Sequence, residues 1–256
     1  MQIIRYKAGT GNVEFGWVYE GKVGAIDGSP FTEYRRQVAD PPIEEVQLLP
    51  PVIPSKIICV GRNYVAHAEE HDAEVPQIPL LFLKPPSAVI GTQAKIILPP
   101  QSQRVDHEAE LVVVIGKRGR WIQTDEAFDF VLGYTIGNDV TARDLQRRDG
   151  QWTRGKGFDT FCPIGPWVET EFDPADALVS CHVNGEMRQM ASTRDMVFSV
   201  RQLITFVSSV MTLEPGDLLF TGTPAGVSPL SPGDTVMVSI EGIGELTNHV
   251  ISEAPH

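Results

Sequence analysis

Cysteine is scarce in this sequence of 256 residues, which contains three of them. Cys59, Cys162 and Cys181 are odd in number and lie far apart, so they form neither a disulfide framework nor a zinc knuckle. We therefore expect three buried thiols, as is usual for a protein of the reducing cytoplasm.

Basic residues are also few compared with acidic ones. Lys and Arg total 21 against 33 Asp and Glu, which gives a formal net charge of −12. No basic run stands out that could neutralise a phosphate backbone. This charge pattern argues against nucleic acid as a partner.

Long apolar stretches are missing as well. The N-terminal MQIIRYK lacks the apolar centre of a signal peptide, and the longest strongly apolar run, LVVVI at 111–115, is far too short to span a bilayer. The sequence has neither G-x-x-x-x-G-K-[ST] nor a G-x-G-x-x-G between a strand and a helix, so nucleotide-cofactor folds lack support. We expect a soluble, cytoplasmic protein with no membrane partner.

Turn residues are abundant, with 23 Gly and 20 Pro between short apolar segments, which favours a mainly β fold with some α. The Pro-rich LLPPVIPS marks a boundary between a small N-terminal β domain, 1–54, and a main domain, 55–256. In the main domain, apolar patterning predicts strands at KIICVG, KIILP, AELVVVIG, FVLGYTIGND, CHVNGE, DLLFTG and TVMVSIEG, and helices at TARDLQRR and FSVRQLITFVSSVM. Two P-G-D turns, in 214–220 and 231–238, each precede a strand.

The segment HAEEH, at 67–71, reads literally as the H-x-x-E-H motif of zinc peptidases. Its surroundings, VAHAEEHDAE, are compatible with a short helix that ends before Pro76. Three interpretations are open: a zinc site, an acid–base pair that serves a metal held elsewhere, and a solvated helix face.

The segment VDHEAELVVVIG carries acidic residues into an apolar strand. Alternate residues of a strand share a face, so Asp106, Glu108 and Glu110 would point the same way. Carboxylates held close together are costly unless a cation or a proton compensates them, and oxygen-only ligands favour Mg²⁺, Mn²⁺ or Ca²⁺ over zinc. The alternative is an acidic face on an edge strand exposed to water, and the spacing leaves both open.

The next predicted strand, GYTIGND, ends at Asp139, whose side chain is a third carboxylate that could bind the same cation. If TARDLQ is helical, Arg143 and Gln146 lie on the same face as Asp139. Arg143 could then bind a substrate carboxylate or form an intrahelical ion pair with Asp139. Lys156 lies between glycines that allow close approach of a ligand, and TGTPAG is either an anion-binding turn or simply a tight turn.

Taken in order, the motifs of the chain resemble the fumarylacetoacetate hydrolase superfamily from about residue 55 to near the C-terminus. The segments that carry the resemblance are KIICVGRNYVAHAEEH, LFLKPPSAVIG, VDHEAELVVVIGKR, GYTIGNDVTARDLQ, QWTRGKGFDTFCPIGPWV, LLFTGTPAGVSP and IEGIGEL. The first 50 residues resemble the leader domain of bacterial members close to the acylpyruvase and 2-hydroxyhepta-2,4-diene-1,7-dioate isomerase branch. The resemblance implies a main domain of the β-roll or β-sandwich type that this superfamily has.

The resemblance also implies roles for individual residues. Metal ligands for Mg²⁺ or Mn²⁺ would be Glu108, Glu110 and Asp139. His67 and Glu70 would form an acid–base dyad on a lid, which makes HAEEH a catalytic segment and not a zinc site. Lys156 matches the active-site lysine of the family, and three residues match positions that contact the 2-oxo-acid end of the substrate: Arg143, Gln146 and Thr223.

The implied activity is hydrolysis of a carbon–carbon bond, or isomerisation, of 2-oxo or 2,4-dioxo acids through a metal-stabilised enolate. Substrates would be of the acylpyruvate, fumarylpyruvate or hydroxymuconate type, in the catabolism of aromatic compounds. The same site could decarboxylate oxaloacetate, and more remote alternatives are a non-catalytic metal-binding protein and a zinc peptidase.

Relatives commonly form homodimers, and the resemblance therefore implies a homodimer here. The chain departs from many of them at His71 and Gly157, which bear on lid packing and substrate choice.

Overall fold

The computed structural model describes residues 1–9, 11–70 and 72–254. Strands make up 43% of the structure and helices 16%, which confirms the mainly β fold expected from the sequence. None of the described helices has the length and apolar character needed to cross a bilayer. All three cysteines are buried and free, as expected.

The strands and helices follow one another along the chain with short connections. The strands are β1 Gln2–Ala8, β2 Val13–Tyr19, β3 Lys22–Gly28, β4 Tyr34–Arg36, β5 Val46–Leu49, β6 Ile57–Gly61, β7 Leu80–Lys84, β8 Val89–Ile90, β9 Lys95–Leu98, β10 Val105–Asp106, β11 Ala109–Ile115, β12 Val131–Asn138, β13 Thr141–Ala142, β14 Cys162–Glu169, β15 Leu178–Val183, β16 Glu186–Ser192, β17 Leu218–Phe220, β18 Thr235–Ile240 and β19 Gly244–Ser252. The α-helices are α1 Val65–Glu70, α2 Arg143–Asp149, α3 Thr153–Lys156 and α4 Val200–Val210. Short 3₁₀ turns lie at Ile43–Glu45, Pro86–Ala88, Ala127–Phe130 and Thr193–Asp195.

Two large sheets organise these strands. The first has the order β4-β3-β2-β1-β14-β12-β11-β17-β6-β7, with β5 paired to β1 and β8 to β14. The second has the order β16-β15-β18-β19-β9, and β10 pairs with β13 separately. Strand β11 lies inside the first sheet, between β12 and β17, so its acidic residues do not lie on an edge strand.

Burial of β11 on both faces explains its uninterrupted apolar run. Leu111, Val113 and Ile115 pack into the hydrophobic cluster that includes residues of the second sheet, whereas Val112 and Val114 pack into a cluster on the opposite face. A strand covered on both faces needs apolar residues at every position. The LVVVI segment is therefore the centre of the fold and not a membrane segment.

The N-terminal strands are continuous with the main sheet. β1 pairs with β14 through Gln2–Glu169 and Ile3–Val168, and this pairing joins the predicted N-terminal domain to the rest of the chain. The division at residue 54 therefore stays a prediction, since one sheet crosses it.

Helix α4 forms where the sequence predicts it, for identifiable local reasons. Ser199 and Gln202 form a capping box at its N-terminus, in which the Gln202 side chain accepts a hydrogen bond from the Ser199 backbone at 2.8 Å. Leu203, Ile204 and Val207 are fully buried on the face that packs against the core. Helix α1 is shorter than the sequence suggests and ends at Glu70, well before Pro76.

The two P-G-D turns have the same local geometry in different surroundings. In one, Asp217 accepts a hydrogen bond from the Glu214 backbone at 2.7 Å, and in the other Asp234 accepts one from Ser231 at 2.7 Å. Asp217 is completely buried and also forms an ion pair with Lys56 at the start of β6. Asp217 thus fixes β17 against β6, the two strands whose ends lead into the candidate site.

This difference gives a stability prediction. Asp217→Ala should lower the free energy of unfolding by about 3 kcal/mol, because it removes one partner of a buried ion pair together with several hydrogen bonds. Asp234→Ala, in the matched but more exposed turn, should cost about 1 kcal/mol. Denaturant unfolding of the two variants and the wild type checks this. Equal losses would show that the turn geometry, and not the buried ion pair, carries the stabilisation.

Candidate active site

Three buried carboxylates meet where β11 begins and β12 ends. Antiparallel pairing sets Ala109 opposite Asn138 and Glu110 opposite Gly137, so the residues that flank these positions are brought together. Local hydrogen bonds fix them, because the Glu108 backbone N–H binds the Asn138 side chain and the Asp139 N–H binds the Glu108 carbonyl. One carboxylate oxygen from each of three residues lies within 4.8 Å of the others: Glu108, Glu110 and Asp139.

Asp106 lies outside this group, although sequence alternation places it on the same face. Residues 107 and 108 belong to neither β10 nor β11, so the expected strand is interrupted between Asp106 and Glu110. The Asp106 carboxylate is instead bound by Arg104 and Arg143, each at 2.9 Å.

Two buried lysines compensate part of the negative charge. Lys156 Nζ lies 2.7 Å from Glu108 Oε2 and 2.6 Å from Asp139 Oδ2. Lys84 Nζ, at the end of β7, lies 2.5 Å from Asp139 Oδ1. Burial would lower the pKa of Lys156, but Asp139 and Glu108 outweigh this effect and raise it, so the lysine stays charged. Sequence reasoning missed Lys84, whose signal was a lysine at the end of the apolar segment LLFLK.

Arg143, at the start of α2, pairs with Asp106 and Glu108 and not with Asp139. Its Nη2 lies 2.5 Å from Glu108 Oε1, and its Nη1 donates to Gln146 Oε1 at 2.8 Å. The intrahelical ion pair considered for Arg143 is therefore not the arrangement that forms. Arg143 and Gln146 instead form one hydrogen-bonded unit beside the acidic group.

Glu108 and Glu110 have opposite electrostatic environments. Burial would raise the pKa of Glu108, but Lys156 and Arg143 outweigh it and hold that pKa below its usual range. Burial raises the pKa of Glu110 well above its usual range, and the charges of Asp139 and Glu108 act in the same direction. Among the described residues, the Glu110 carboxylate accepts one hydrogen bond, from the Gly222 N–H at 2.7 Å, and forms no ion pair, although the charge of Lys156 acts to lower its pKa. A divalent cation would supply the missing charge, and the all-oxygen donor set fits a hard ion.

His67 and Glu70 lie one helical turn apart on α1. His67 Nδ1 is 3.5 Å from Glu70 Oε2, and the imidazole is buried while the carboxylate is partly exposed. Burial lowers the pKa of His67, and the nearby Glu108 opposes this shift without reversing it. The imidazole is therefore neutral near pH 7 and able to accept a proton. His71, the third member of the H-x-x-E-H motif, lies outside the described residues.

The TGTPAG segment contacts both helix α1 and the acidic group. Its Gly226 N–H donates to the Glu70 carboxylate at 3.1 Å, which holds α1 against this loop. Gly226 has a φ of +101°, and an added Cβ would lie 2.0 Å from the Arg188 carbonyl oxygen, so only glycine fits. The loop is thus more than a tight turn, because it supports Glu70 directly.

Thr223 is held by residues that sequence reasoning did not find. Its hydroxyl donates to the Ala109 carbonyl at 2.9 Å and accepts from Gln189 Nε2 at 2.8 Å. Gln189, on β16, is buried and its Oε1 lies 3.0 Å from His107 Nδ1. Because the only hydroxyl proton of Thr223 is already donated, its side chain can act toward a ligand as an acceptor.

These side chains surround one cavity of about 290 Å³. Eight of the nine residues predicted from the sequence line it: His67, Glu108, Glu110, Asp139, Arg143, Gln146, Lys156 and Thr223. The ninth, Glu70, does not line the cavity but lies beside His67, which does. The lining also includes residues that the sequence did not single out, among them Arg62, Phe82, Arg147 and Trp152.

A β fold that gathers buried carboxylates, lysines and a histidine in one cavity is typical of enzymes that use a hard divalent cation. Comparison with known proteins identifies the class more closely. The family described as fumarylacetoacetate (FAA) hydrolase C-terminal matches residues 56–251, and the domain described as Rv2993c-like, N-terminal matches residues 1–51. The chain belongs to the fumarylacetoacetate hydrolase family of enzymes.

Similar proteins include hydrolases, isomerases and tautomerases. The oxaloacetate tautomerase FAHD2B, mitochondrial, of Bos taurus is 47% identical over 223 residues, which cover 82% of this chain and 71% of that protein. The crystal structure of 2-hydroxyhepta-2,4-diene-1,7-dioate isomerase from Mycobacterium marinum is 44% identical with a TM-score of 0.92 and covers 100% of both chains. A fumarylacetoacetate hydrolase from Exiguobacterium antarcticum is 40% identical with a TM-score of 0.90, covering 99% of this chain and 100% of that one.

The contrast between the two glutamates gives a prediction that needs no activity assay. In the presence of a chelator, Glu108→Gln should lower the free energy of unfolding by about 3 kcal/mol or more, because it leaves Lys156 and Arg143 under-compensated. Glu110→Gln should leave the free energy of unfolding unchanged or raise it, since it removes a repelled buried charge. Denaturant unfolding in excess chelator measures both. If Glu110→Gln proves as costly as Glu108→Gln, Glu110 is not the under-compensated member of the group.

Proposed function

We propose that the chain is a divalent-metal-dependent hydrolase or isomerase acting on 2-oxo or 2,4-dioxo acids. One observation carries the proposal. A buried group of three carboxylates, one of them without an ion pair in the described structure, shares a cavity with a histidine whose pKa is lowered and a lysine whose pKa is raised.

The ion would be held by Glu108, Glu110 and Asp139, and Mg²⁺ or Mn²⁺ suits these ligands best, with Ca²⁺ also compatible. When bound, such an ion polarises the keto oxygen of a 2-oxo acid and stabilises the negative charge that develops there. Lys156, within hydrogen-bond distance of two of the three carboxylates, adds a second positive charge to the same region.

His67 is the proposed general base. Its neutral imidazole lines the cavity, and Glu70 lies beside Nδ1, where the carboxylate would hold the proton on that nitrogen, so that Nε2 would be the atom that accepts one. The base can remove a proton from water that attacks a 4-keto carbonyl, or from carbon in an isomerisation. Glu70 is a positioning residue in this scheme, and its hydrogen bond from the Gly226 N–H would hold α1 beside the site.

The 2-oxo-acid end of the substrate would lie against Arg143, Gln146 and Thr223. Arg143 and Gln146 present polar groups from one face of α2, and both are buried at the cavity. A guanidinium matches the planar geometry of a carboxylate, which makes Arg143 the proposed contact for the carboxylate next to the keto group.

Whether the site catalyses hydrolysis, isomerisation or decarboxylation would depend on the structure of the substrate and on whether water can reach it. Acylpyruvate, fumarylpyruvate and hydroxymuconate compounds from aromatic catabolism are the proposed substrates, and loss of CO₂ from oxaloacetate by the same site is the alternative. The similarity to an oxaloacetate tautomerase suggests a further candidate reaction, the proton shift between the keto and enol forms of oxaloacetate. This reaction would use the same base and would need no water. A cytoplasmic homodimer is the proposed form of the protein.

A substrate panel tests the proposal. Purified protein with Mg²⁺ or Mn²⁺ is assayed for pyruvate release from acylpyruvates and from oxaloacetate, and for absorbance changes of a hydroxymuconate and of enol-oxaloacetate. We expect metal-dependent turnover of at least one of these substrates and loss of that turnover with excess chelator. Activity that persists in chelator, or that follows Zn²⁺ and cleaves peptides, would contradict the proposal.

The dyad gives a separate prediction. His67→Ala should lower turnover by about 10²–10⁴-fold, the usual contribution of a positioned general base, and leave Mg²⁺ binding nearly intact. Glu70→Gln should lower turnover less and change its pH profile, whereas Glu69→Gln, on the exposed neighbouring residue, should have little effect. Turnover measurements and calorimetric Mg²⁺ titrations of the three variants check this.

The outcome also separates the dyad from a zinc site. If HAEEH held zinc, His67→Ala and His71→Ala would each empty the site, since the two histidines would be equivalent ligands. The proposed function instead expects His71→Ala to have a much smaller effect than His67→Ala.

A further inference from the structure

Strand β16 carries one fully buried polar side chain, although its other residues are exposed or half-buried. Gln189 is 1% exposed, whereas its neighbours Arg188 and Met190 are exposed. A buried amide lowers stability unless its polar atoms are hydrogen-bonded, and an apolar residue at this position would avoid that requirement. The burial of an amide here therefore indicates a role other than packing.

All four hydrogen-bonding positions of the Gln189 amide are occupied. Its Oε1 accepts a hydrogen bond from the Ala109 N–H at 3.0 Å and lies 3.0 Å from His107 Nδ1. Its Nε2 donates to the Thr223 hydroxyl at 2.8 Å and to the Pro224 carbonyl at 2.7 Å. Because the Ala109 N–H can only donate and the Pro224 carbonyl can only accept, the amide has one possible orientation. Gln189 thus connects the start of β11 to the TGTPAG segment.

The end of the TGTPAG segment has few other polar contacts. Its beginning is bound to β11 by the hydroxyls of its two threonines. Residues 224–227 form no backbone–backbone hydrogen bond with any residue that the structure describes. Their described hydrogen bonds are the one from Gln189 to the Pro224 carbonyl and the one from the Gly226 N–H to Glu70. This part of the segment is therefore held between Gln189 on one side and Glu70 on the other.

The position of Gly226 in turn determines where the Glu70 carboxylate lies. The Gly226 N–H binds both carboxylate oxygens, at 3.1 Å from Oε1 and 3.2 Å from Oε2. Glu70 Oε2 lies 3.5 Å from His67 Nδ1. A displacement of Gly226 would move the carboxylate away from the imidazole, which would lose the group that fixes its proton. A series of contacts therefore joins Gln189, on the second sheet, to the proposed general base.

We propose that Gln189 is a positioning residue for the His67–Glu70 dyad and acts on it through the TGTPAG segment. Gln189 does not line the cavity, so its influence on the reaction is indirect. This inference rests on the proposed function, which takes His67 as the general base. The effect of Gln189 should fall on the chemical step and not on ligand binding, because Thr223 has a second hydrogen bond, to the Ala109 carbonyl, that does not depend on Gln189.

Asn248 provides a matched control for Gln189. It is also a buried amide of the second sheet, 1% exposed, and its Nδ2 donates to the carbonyls of Gly91 and Ala94 at 2.9 and 3.0 Å. None of these three residues lines the cavity. Gln189→Met and Asn248→Leu each remove a buried, hydrogen-bonded amide, so both should lower the midpoint of denaturant unfolding. Only Gln189→Met should change the reaction.

Steady-state kinetics in saturating Mg²⁺, with a substrate that turns over in the panel, test the inference. We expect Gln189→Met to lower kcat by about 5- to 50-fold and to change KM and Mg²⁺ affinity by less than about threefold. Gln189→Asn keeps the amide but is too short to reach both Ala109 and Pro224, and it should give the same result. In a Glu70→Ala background, Gln189→Met should lower kcat by less than about twofold further, because the contact that it supports is already missing. Asn248→Leu should leave kcat unchanged.

Nuclear magnetic resonance tests the inference without turnover. In protein labelled with ¹⁵N-histidine, the nitrogen shifts of the His67 ring show which nitrogen carries the proton, and His67→Ala identifies the signals of that ring. We expect the proton on Nδ1 in the wild type and in Asn248→Leu. Gln189→Met should show a mixture of the two neutral tautomers, because Glu70 is no longer held beside Nδ1.

The inference is overturned if Gln189→Met leaves kcat unchanged, if its full effect persists in the Glu70→Ala background, or if Mg²⁺ affinity falls as much as kcat does. The proposed function would stand in each of these cases, since it rests on metal-dependent turnover by the wild type. If the wild type turns over no substrate of the panel, the proposed function fails. The ring signals then decide the inference by themselves, and identical His67 signals in the wild type and Gln189→Met would contradict it.

Discussion

The constraint on which the structure depends is the burial of four carboxylates at the junction of β11 and β12. Asp106, Glu108, Glu110 and Asp139 are all within 4% of complete burial, a state that is stable only if cations accompany them. The cations come from three separate elements: Lys84 from β7, Arg143 from α2 and Lys156 from α3. These ion pairs therefore hold the outer elements against the central strands, and the same contacts that shape the cavity also maintain it.

The buried cations do not pair with every buried carboxylate, and this has a chemical consequence. The three buried cations contact Asp106, Glu108 and Asp139, while Glu110 is left with a backbone N–H. Because the partly exposed Arg104 also contacts Asp106, a divalent ion bound beside Glu110 would leave this region with an excess of positive charge. An anionic ligand would then reduce that excess in a region where the carboxylates are buried. The proposed metal ion and the proposed acidic substrate would thus both follow from one charge arrangement.

The sequence alone predicted the carboxylates of the site, but it did not predict every side chain that contacts the site residues. Glu110 and Asp139 follow from strand alternation and a strand end, and resemblance to the family added their grouping with His67. Lys84 and Gln189 were not predicted, because each meets the site only through the pairing of distant strands, which no local pattern encodes. Strand β14 was missed for another reason, since its two prolines argue against a strand in the interior of a sheet. The mainly β fold was predictable because turns and apolar alternation are local properties.

The buried residues of the cavity and the exposed residues at its opening differ in how freely they can change. A substitution at Lys156 or Arg143 removes one partner of a buried ion pair, so it alters the free energy of unfolding as well as the chemistry. Arg147, an exposed residue that lines the cavity, forms no ion pair within residues 1–9, 11–70 and 72–254, so its replacement should leave the fold almost unaffected. Residues around the opening can therefore vary without loss of the fold. The buried side chains cannot vary in this way, because their ion pairs hold the outer elements and the carboxylates of the site together.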